Sequence, residues 1–113
     1  MAFSSPPAPG SRLVLSSQEA LVAGGPAEEL ERRVQSLFRQ GYLHVVVDLG
    51  GVPRLDSAGV RALVRGHTSA QRLHRRFTIV GPNAKVSELL RLSLLDRVLE
   101  IKESLAEAKT NEL

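Results

Sequence analysis

Three consecutive valines, Val45-Val46-Val47, lie within the apolar run 43–49 and constrain this chain more than any other stretch. Successive side chains of a strand point to opposite faces. β-Branched residues at every position therefore require cover on both sides, as in the central strand of a parallel sheet. Gly50, Gly51 and Pro53 interrupt the run. A helical pattern follows, with Val60, Leu63, Val64 and His67 at i, i+3, i+4 and i+7. It predicts a helix from Ser57 to about Leu73 and sets Asp56-Ser57 on a strand-to-helix turn. Backbone N–H groups at a helix start lack partners, and the dipole there favours negative charge. A hydroxyl at that point can be capped, bonded or phosphorylated.

At 113 residues the chain has the size of one compact domain. Hydrophobic residues make up 42% but aromatic ones only 4%, so the core must be aliphatic with two or three Phe. The absence of cysteine excludes a disulfide framework, a thiolate metal site and a thiol nucleophile. No apolar run approaches a membrane span. The start, MAFSSPPAPGSR, has neither the basic nor the apolar segment of a signal peptide. The expectation is a soluble cytoplasmic protein without membrane insertion. A formal charge of +3 and a pI near 10 raise the question of nucleic acid. The fifteen basic residues are mixed with twelve acidic ones, and no aromatic cluster lies among them to stack bases. Direct nucleic-acid binding is therefore not expected.

Residues 1–11, with Pro6, Pro7 and Pro9 among small residues, read as a flexible tail, and 12–113 as the domain. Residues 12–15 and 19–23, joined by Ser16-Ser17-Gln18, predict a small edge hairpin. Pro26 opens a helix to about Gln40, with Leu30, Val34, Leu37 and Phe38 as its buried stripe. Glu28–Arg32 and Glu29–Arg33 are i,i+4 pairs on its outer face. Residues 77–80 form a strand, and Asn83 caps a helix with Val86, Leu89, Leu90 and Leu94 inward. Residues 98–101 predict a last strand and 103–108 a last short helix. This alternation implies an α/β fold: a mixed, mainly parallel sheet with helices packed against it.

Asp48-Leu49, a short turn, and then Leu55-Asp56-Ser57-Ala58-Gly59-Val60 resemble the signature of the STAS domain of bacterial anti-sigma factor antagonists. The likeness continues through Phe77-Thr78-Ile79-Val80-Gly81, the helix 86–94 and Asp96-Arg97-Val98-Leu99-Glu100, covering roughly residues 12–110. Three departures stand out. Gly24-Gly25-Pro26 replaces the family's usual Gly and acidic residue, so no partner role transfers to that loop. His74 and Leu94 stand where the family often has Gly; His tolerates positive φ better than most residues, so the helix can still end there. The resemblance implies a binding switch and not an enzyme. The unphosphorylated protein would bind an anti-sigma factor with serine-kinase activity and free a sigma factor. That partner would supply ATP and magnesium, phosphorylate Ser57 and leave, and a separate phosphatase would reset the system. The partner surface is expected at Gly51, Val52, Pro53, Arg54, Asp56, Ser57, Ala58 and Arg61. Asp48 and Gly59 are the structural members of the motif, and the chain itself needs no cofactor or metal. The alternative is a constitutive STAS subunit that is not phosphorylated, such as an accessory protein of a lipid-transport ATPase. Serine rather than threonine at 57 leans toward the switch.

The residues alone leave simpler readings open. Asp48 and Asp56 as a magnesium-binding pair lack accompanying basic or His residues, and no phosphate loop exists. Asp48 can instead accept backbone N–H groups at a strand end, and Asp56 can cap the helix. Ser57 as a nucleophile has no G-x-S-x-G elbow and no assignable base. His67 and His74 lack a third metal ligand. The isolated chain is predicted to bind neither ATP nor GTP tightly. Calorimetric titration with each nucleotide should give no binding heat.

Overall fold

A computed structural model describes residues 11–104. They form β1 (Arg12–Ser16), α1 (Pro26–Arg39), β2 (His44–Asp48), α2 (Ser57–Leu73), β3 (Arg76–Val80), α3 (Ala84–Leu92), a 3-10 turn (Leu95–Arg97) and β4 (Glu100–Lys102). The strands lie in chain order, β1-β2-β3-β4, and every neighbouring pair is parallel. Right-handed crossovers between strands in that order place all three helices on one face. Of the expected tail only Ser11 is described; its carbonyl accepts the N–H groups of Leu43 and His44. The last helix expected at 103–108 falls, beyond Ser104, outside the described residues.

The valine strand behaves as its composition requires. His44, Val45, Val46 and Val47 are all buried. Leu15, Val45, Val47, Phe77 and Ile79 meet the helices, where Leu30, Val34, Leu37, Phe38, Leu63, Val86 and Leu90 complete the core. Val46 and Val80 make a separate buried pair on the opposite face. That face also carries a polar pairing across strands, with His44 Nε2 2.7 Å from Thr78 Oγ1. Beside it Arg76 Nε donates to Glu100 at 3.0 Å. Burial would raise the Glu100 carboxyl, but its bond to Arg76 and that residue's charge outweigh burial and hold it below the ordinary range.

The expected edge hairpin does not form. β1 runs parallel to β2, and within 19–23 only Leu21 makes a bridge, parallel to Leu55. Leu21 N–H donates to the Arg54 carbonyl, and Asp56 N–H donates to the Leu21 carbonyl. The segment is therefore used to hold the β2–α2 turn, and the described sheet has no antiparallel strand. The expected i,i+4 pairs on α1 are also replaced. Arg32 pairs with Glu29 at i,i+3, and Glu31 reaches Arg65 of α2 at 2.8 Å.

The buried face of α2 is rotated from the predicted one. Val60, Val64 and His67 are only half-buried, while Gly59, Ala62, Leu63, Gly66, Ser69 and Ala70 are buried. Large apolar residues set the sequence pattern, but small ones let the helix come close to its neighbours. Ser69 Oγ accepts a 2.7 Å bond from Gln35 of α1. A Cβ on Gly66 would stand 2.7 Å from the Phe77 ring of β3.

His74 ends α2 in the left-handed conformation, φ 58, as its tolerance allows. Arg75 N–H donates to the Ala70 carbonyl and closes the helix end. Leu94 is left-handed as well, φ 62, and is exposed, so it does not join the inner face of α3. β4 starts two residues later than predicted, because Val98 and Leu99 both donate backbone bonds to the Leu95 carbonyl.

Gly66→Val should destabilise the domain by about 1–3 kcal/mol, the usual cost of overpacking. Chemical denaturation should show an earlier midpoint with an unchanged slope.

Candidate functional site

The turn after β2 is anchored on several sides. Asp48 Oδ1 accepts the Gly50 N–H at 2.8 Å, as a strand-end carboxylate can. Leu49 N–H donates to the Val80 carbonyl of β3, and Val52 N–H donates to the Leu49 carbonyl. Val52 is fully buried, and its carbonyl accepts from the Asn83 side chain at 3.1 Å. Asn83 Oδ1 also caps α3 by accepting the Val86 N–H at 2.8 Å. One amide thus fixes the turn to the start of the next helix. On the other side the Gln18 amide lies against Gly51, where a Cβ would come within 2.5 Å of it. Val52 also helps to line a cavity of about 470 Å³ between β1, α1 and this turn.

Asp56 does more than cap. Its Oδ1 accepts from Ala58 and Gly59 at 2.9 and 3.0 Å, and its Oδ2 accepts from Ala23 at 3.0 Å. The carboxylate joins the start of α2 to the loop before α1. The Ala23 N–H, followed by those of Gly59 and Ala58, holds the Asp56 carboxyl below the usual range. Among the described glycines, Gly59 sits at the tightest approach. A Cβ there would stand 2.1 Å from the Leu21 carbonyl oxygen. The D-S-x-G spacing is thus a packing requirement: the acid ties the loop down, and glycine lets the helix rest on it.

Ser57, the first residue of α2, is exposed, and its hydroxyl makes no hydrogen bond among the described residues. Arg61 lies one helical turn further on, also exposed. Across from it Glu28 is held low, first by its own backbone N–H and that of Gly25, and least by the Arg61 charge. The other predicted site residues fall into two groups. Pro53, Arg54, Ser57 and Arg61 are exposed, with Gly51 half-covered. Val52 and Ala58 are buried beneath them, and the Asp56 carboxylate is engaged with backbone. Leu21 and Ala23 were not among the predicted residues, yet they hold the site in place, and Gln18 lies against it. Their only signal was the apolar Leu21-Val22 pair, which reads equally as a strand. Asp48 and Asp56 each serve backbone N–H groups, and among the described residues no group of three His, Asp or Glu could hold a metal ion.

A sequence profile of the STAS domain matches residues 9–108, and the chain belongs to that family. The TM1081 homologue of Thermotoga neapolitana, which bears the name of an anti-sigma factor antagonist, is 29% identical over 71 residues. The match covers 63% of each protein, so it spans just under two thirds of that relative's length. Among solved structures, Thermotoga maritima TM1081, named in the same way, has 26% identity and a TM-score of 0.81. The match covers 88% of this chain and 86% of that one. An anti-sigma-factor antagonist STAS domain protein of Planctomyces limnophilus shares the fold, with a TM-score of 0.72 and 24% identity over 84% and 85% of the two chains.

Gly59→Ala should unfold the domain at lower denaturant. Displacing a backbone carbonyl costs about 1–3 kcal/mol, and the helix-propensity gain of about 1 kcal/mol offsets only part of it. The acid limb tests Asp56. Its folded pKa is depressed, so the clamp contributes fully above the ordinary Asp value of 3.8 and is lost as pH falls through the folded value. The stability gap between wild type and Asp56→Asn should therefore shrink below pH 3.8.

Proposed function

We propose that this protein is an anti-sigma factor antagonist whose binding is controlled by phosphorylation of Ser57. The observation that carries the reading is an exposed, unbonded serine hydroxyl at the head of a helix whose other motif residues are committed to structure. The relatives named as anti-sigma factor antagonists support the general role. In this reading the partner is an anti-sigma factor with serine-kinase activity, and it contacts Gly51, Pro53, Arg54, Ser57 and Arg61. Val52, Asp56 and Ala58 support that surface from beneath. The partner brings the nucleotide and magnesium, and a phosphatase regenerates the hydroxyl.

The charge change explains how the switch works without unfolding. A phosphoserine carries roughly −1.5 to −2 charges at neutral pH. The Ala58 and Gly59 N–H groups are already taken by Asp56, so the phosphate projects into solvent beside Arg61. It competes with Glu28 for that guanidinium and leaves the clamp alone. A docked partner would have to desolvate the dianion, which costs several kcal/mol unless a cation answers it.

Ser57→Asp should fold normally and bind the anti-sigma factor at least tenfold more weakly, since about 1.4 kcal/mol suffices for that factor. Ser57→Ala should bind and resist release by ATP. Arg61→Glu should weaken the complex with little change in melting temperature. Titration calorimetry with the kinase partner reads all three. Equal affinity of Ser57→Asp and Ser57→Ala would favour the constitutive subunit instead.

A further inference from the structure

Parallel strands and the helices returning from them give the molecule two poles. One gathers the strand C-termini and helix N-termini, including Ser57. The other gathers the strand N-termini and helix C-termini. Five large apolar side chains are exposed among the described residues, and four of them belong to this second pole. Leu73 ends α2 and is 41% exposed; Leu92 ends α3 and is 66% exposed. Leu94 and Val98, on either side of the 3-10 turn, are 59% and 52% exposed. The 3-10 turn that Leu94 and Val98 flank leads from α3 into β4, and β4 pairs with β3, the strand that follows α2. The ends of α2 and α3 therefore lie at the same pole.

Leu94 carries the argument furthest. Its left-handed backbone, φ 62, is free for glycine and strained for leucine, and the side chain gains little burial in exchange. Strain without packing points to a role outside the fold. The pole is cationic as well. Residues 72–76 and 91–98 hold Arg72, Arg75, Arg76, Arg91 and Arg97 against Asp96 alone. Glu100 answers Arg76, and Glu88 answers Arg91. Arg72, Arg75 and Arg97 make no ion pair among the described residues, and Arg75 Nε is buried without a partner.

We propose that this pole docks on an anionic membrane surface. Leu73, Leu92, Leu94 and Val98 enter the headgroup layer, while Arg72, Arg75 and Arg97 meet lipid phosphates. A second copy of the chain fits less well, because two such poles would bring like charges together. Residues 1–10 contain no carboxylate that could neutralise the arginines. Docking of this kind lies on the bilayer and needs no spanning helix, and no described helix is long and apolar enough to cross one. Ser57, at the opposite pole, stays open to a partner. The inference does not rest on the phosphorylation reading.

The test is co-sedimentation of the full chain with two kinds of vesicle. One is pure phosphatidylcholine; the other contains about one-third phosphatidylglycerol, enough to give the anionic surface that attracts basic residues. Wild type should partition to the anionic vesicles only. Each arginine is worth about fivefold in partition, so Arg72→Glu with Arg97→Glu should lose more than tenfold. Leu94→Asn keeps a residue that tolerates the left-handed backbone and removes the apolar tip. It should bind several-fold more weakly while its melting temperature holds or rises. Equal binding to neutral vesicles, no binding at all, or full binding by Leu94→Asn overturns the proposal. So does a concentration-dependent dimer in sedimentation velocity that Leu94→Asn dissolves, which would make a second copy the occupant.

Discussion

One carboxylate holds the candidate site of this molecule together. Asp56 joins three backbone N–H groups from two segments far apart in sequence, two at the head of α2 and one in the loop before α1. Everything nearby depends on that junction. It places the Leu21 carbonyl against α2, which is the reason only glycine fits at 59. It also occupies the two helix N–H donors that a ligand or a phosphate would otherwise take. A charged acceptor suits the task because charge-assisted bonds to backbone N–H groups are about twice as strong as neutral ones.

The division of labour within the motif follows. Asp56 and Gly59 are spent on packing, Ala58 and Val52 are buried, and the turn is pinned by Asn83. Ser57 keeps a hydroxyl that is unbonded among the described residues, on a frame that cannot easily shift. A chemical change at such a residue alters the surface charge without altering the scaffold. Rigidity beneath an exposed hydroxyl would let a small modification there change the surface and not the fold.

Much of this was legible in the sequence because the relevant signals are local. Pro26, Asn83 and Asp56 mark helix starts, and the valine run marks a strand buried on both faces. The left-handed end at His74 followed from its side-chain tolerance. Other features depend on distant partners and leave no such mark. The segment 19–23 has the composition of a strand, but the bonds of Leu21 go to Arg54 and Asp56, more than thirty residues on. The buried face of α2 is not set by periodicity, which counts large side chains, whereas Gly59, Gly66 and Ser69 are buried for being small. Asn83 is readable as a cap, yet its second role, holding the Val52 carbonyl, requires the fold to be known.

The order of the strands bears on how the chain reaches this structure. Arg12 pairs with His44, and His44 pairs with Arg76, at the same spacing in sequence each time. Each strand therefore pairs only with the strand before and after it in the chain, so no loop larger than one βαβ unit must close to extend the sheet. Loop-closure entropy is met in similar small steps, and stability can accumulate by nearest-neighbour addition, much as in repeat proteins. The edges, β1 and β4, are the first and last strands of the described chain, so fraying at either end can leave the central β2–α2–β3 unit intact. That unit contains both Asp48 and Ser57, and the part of the molecule that carries the candidate site is the part from which the rest can grow.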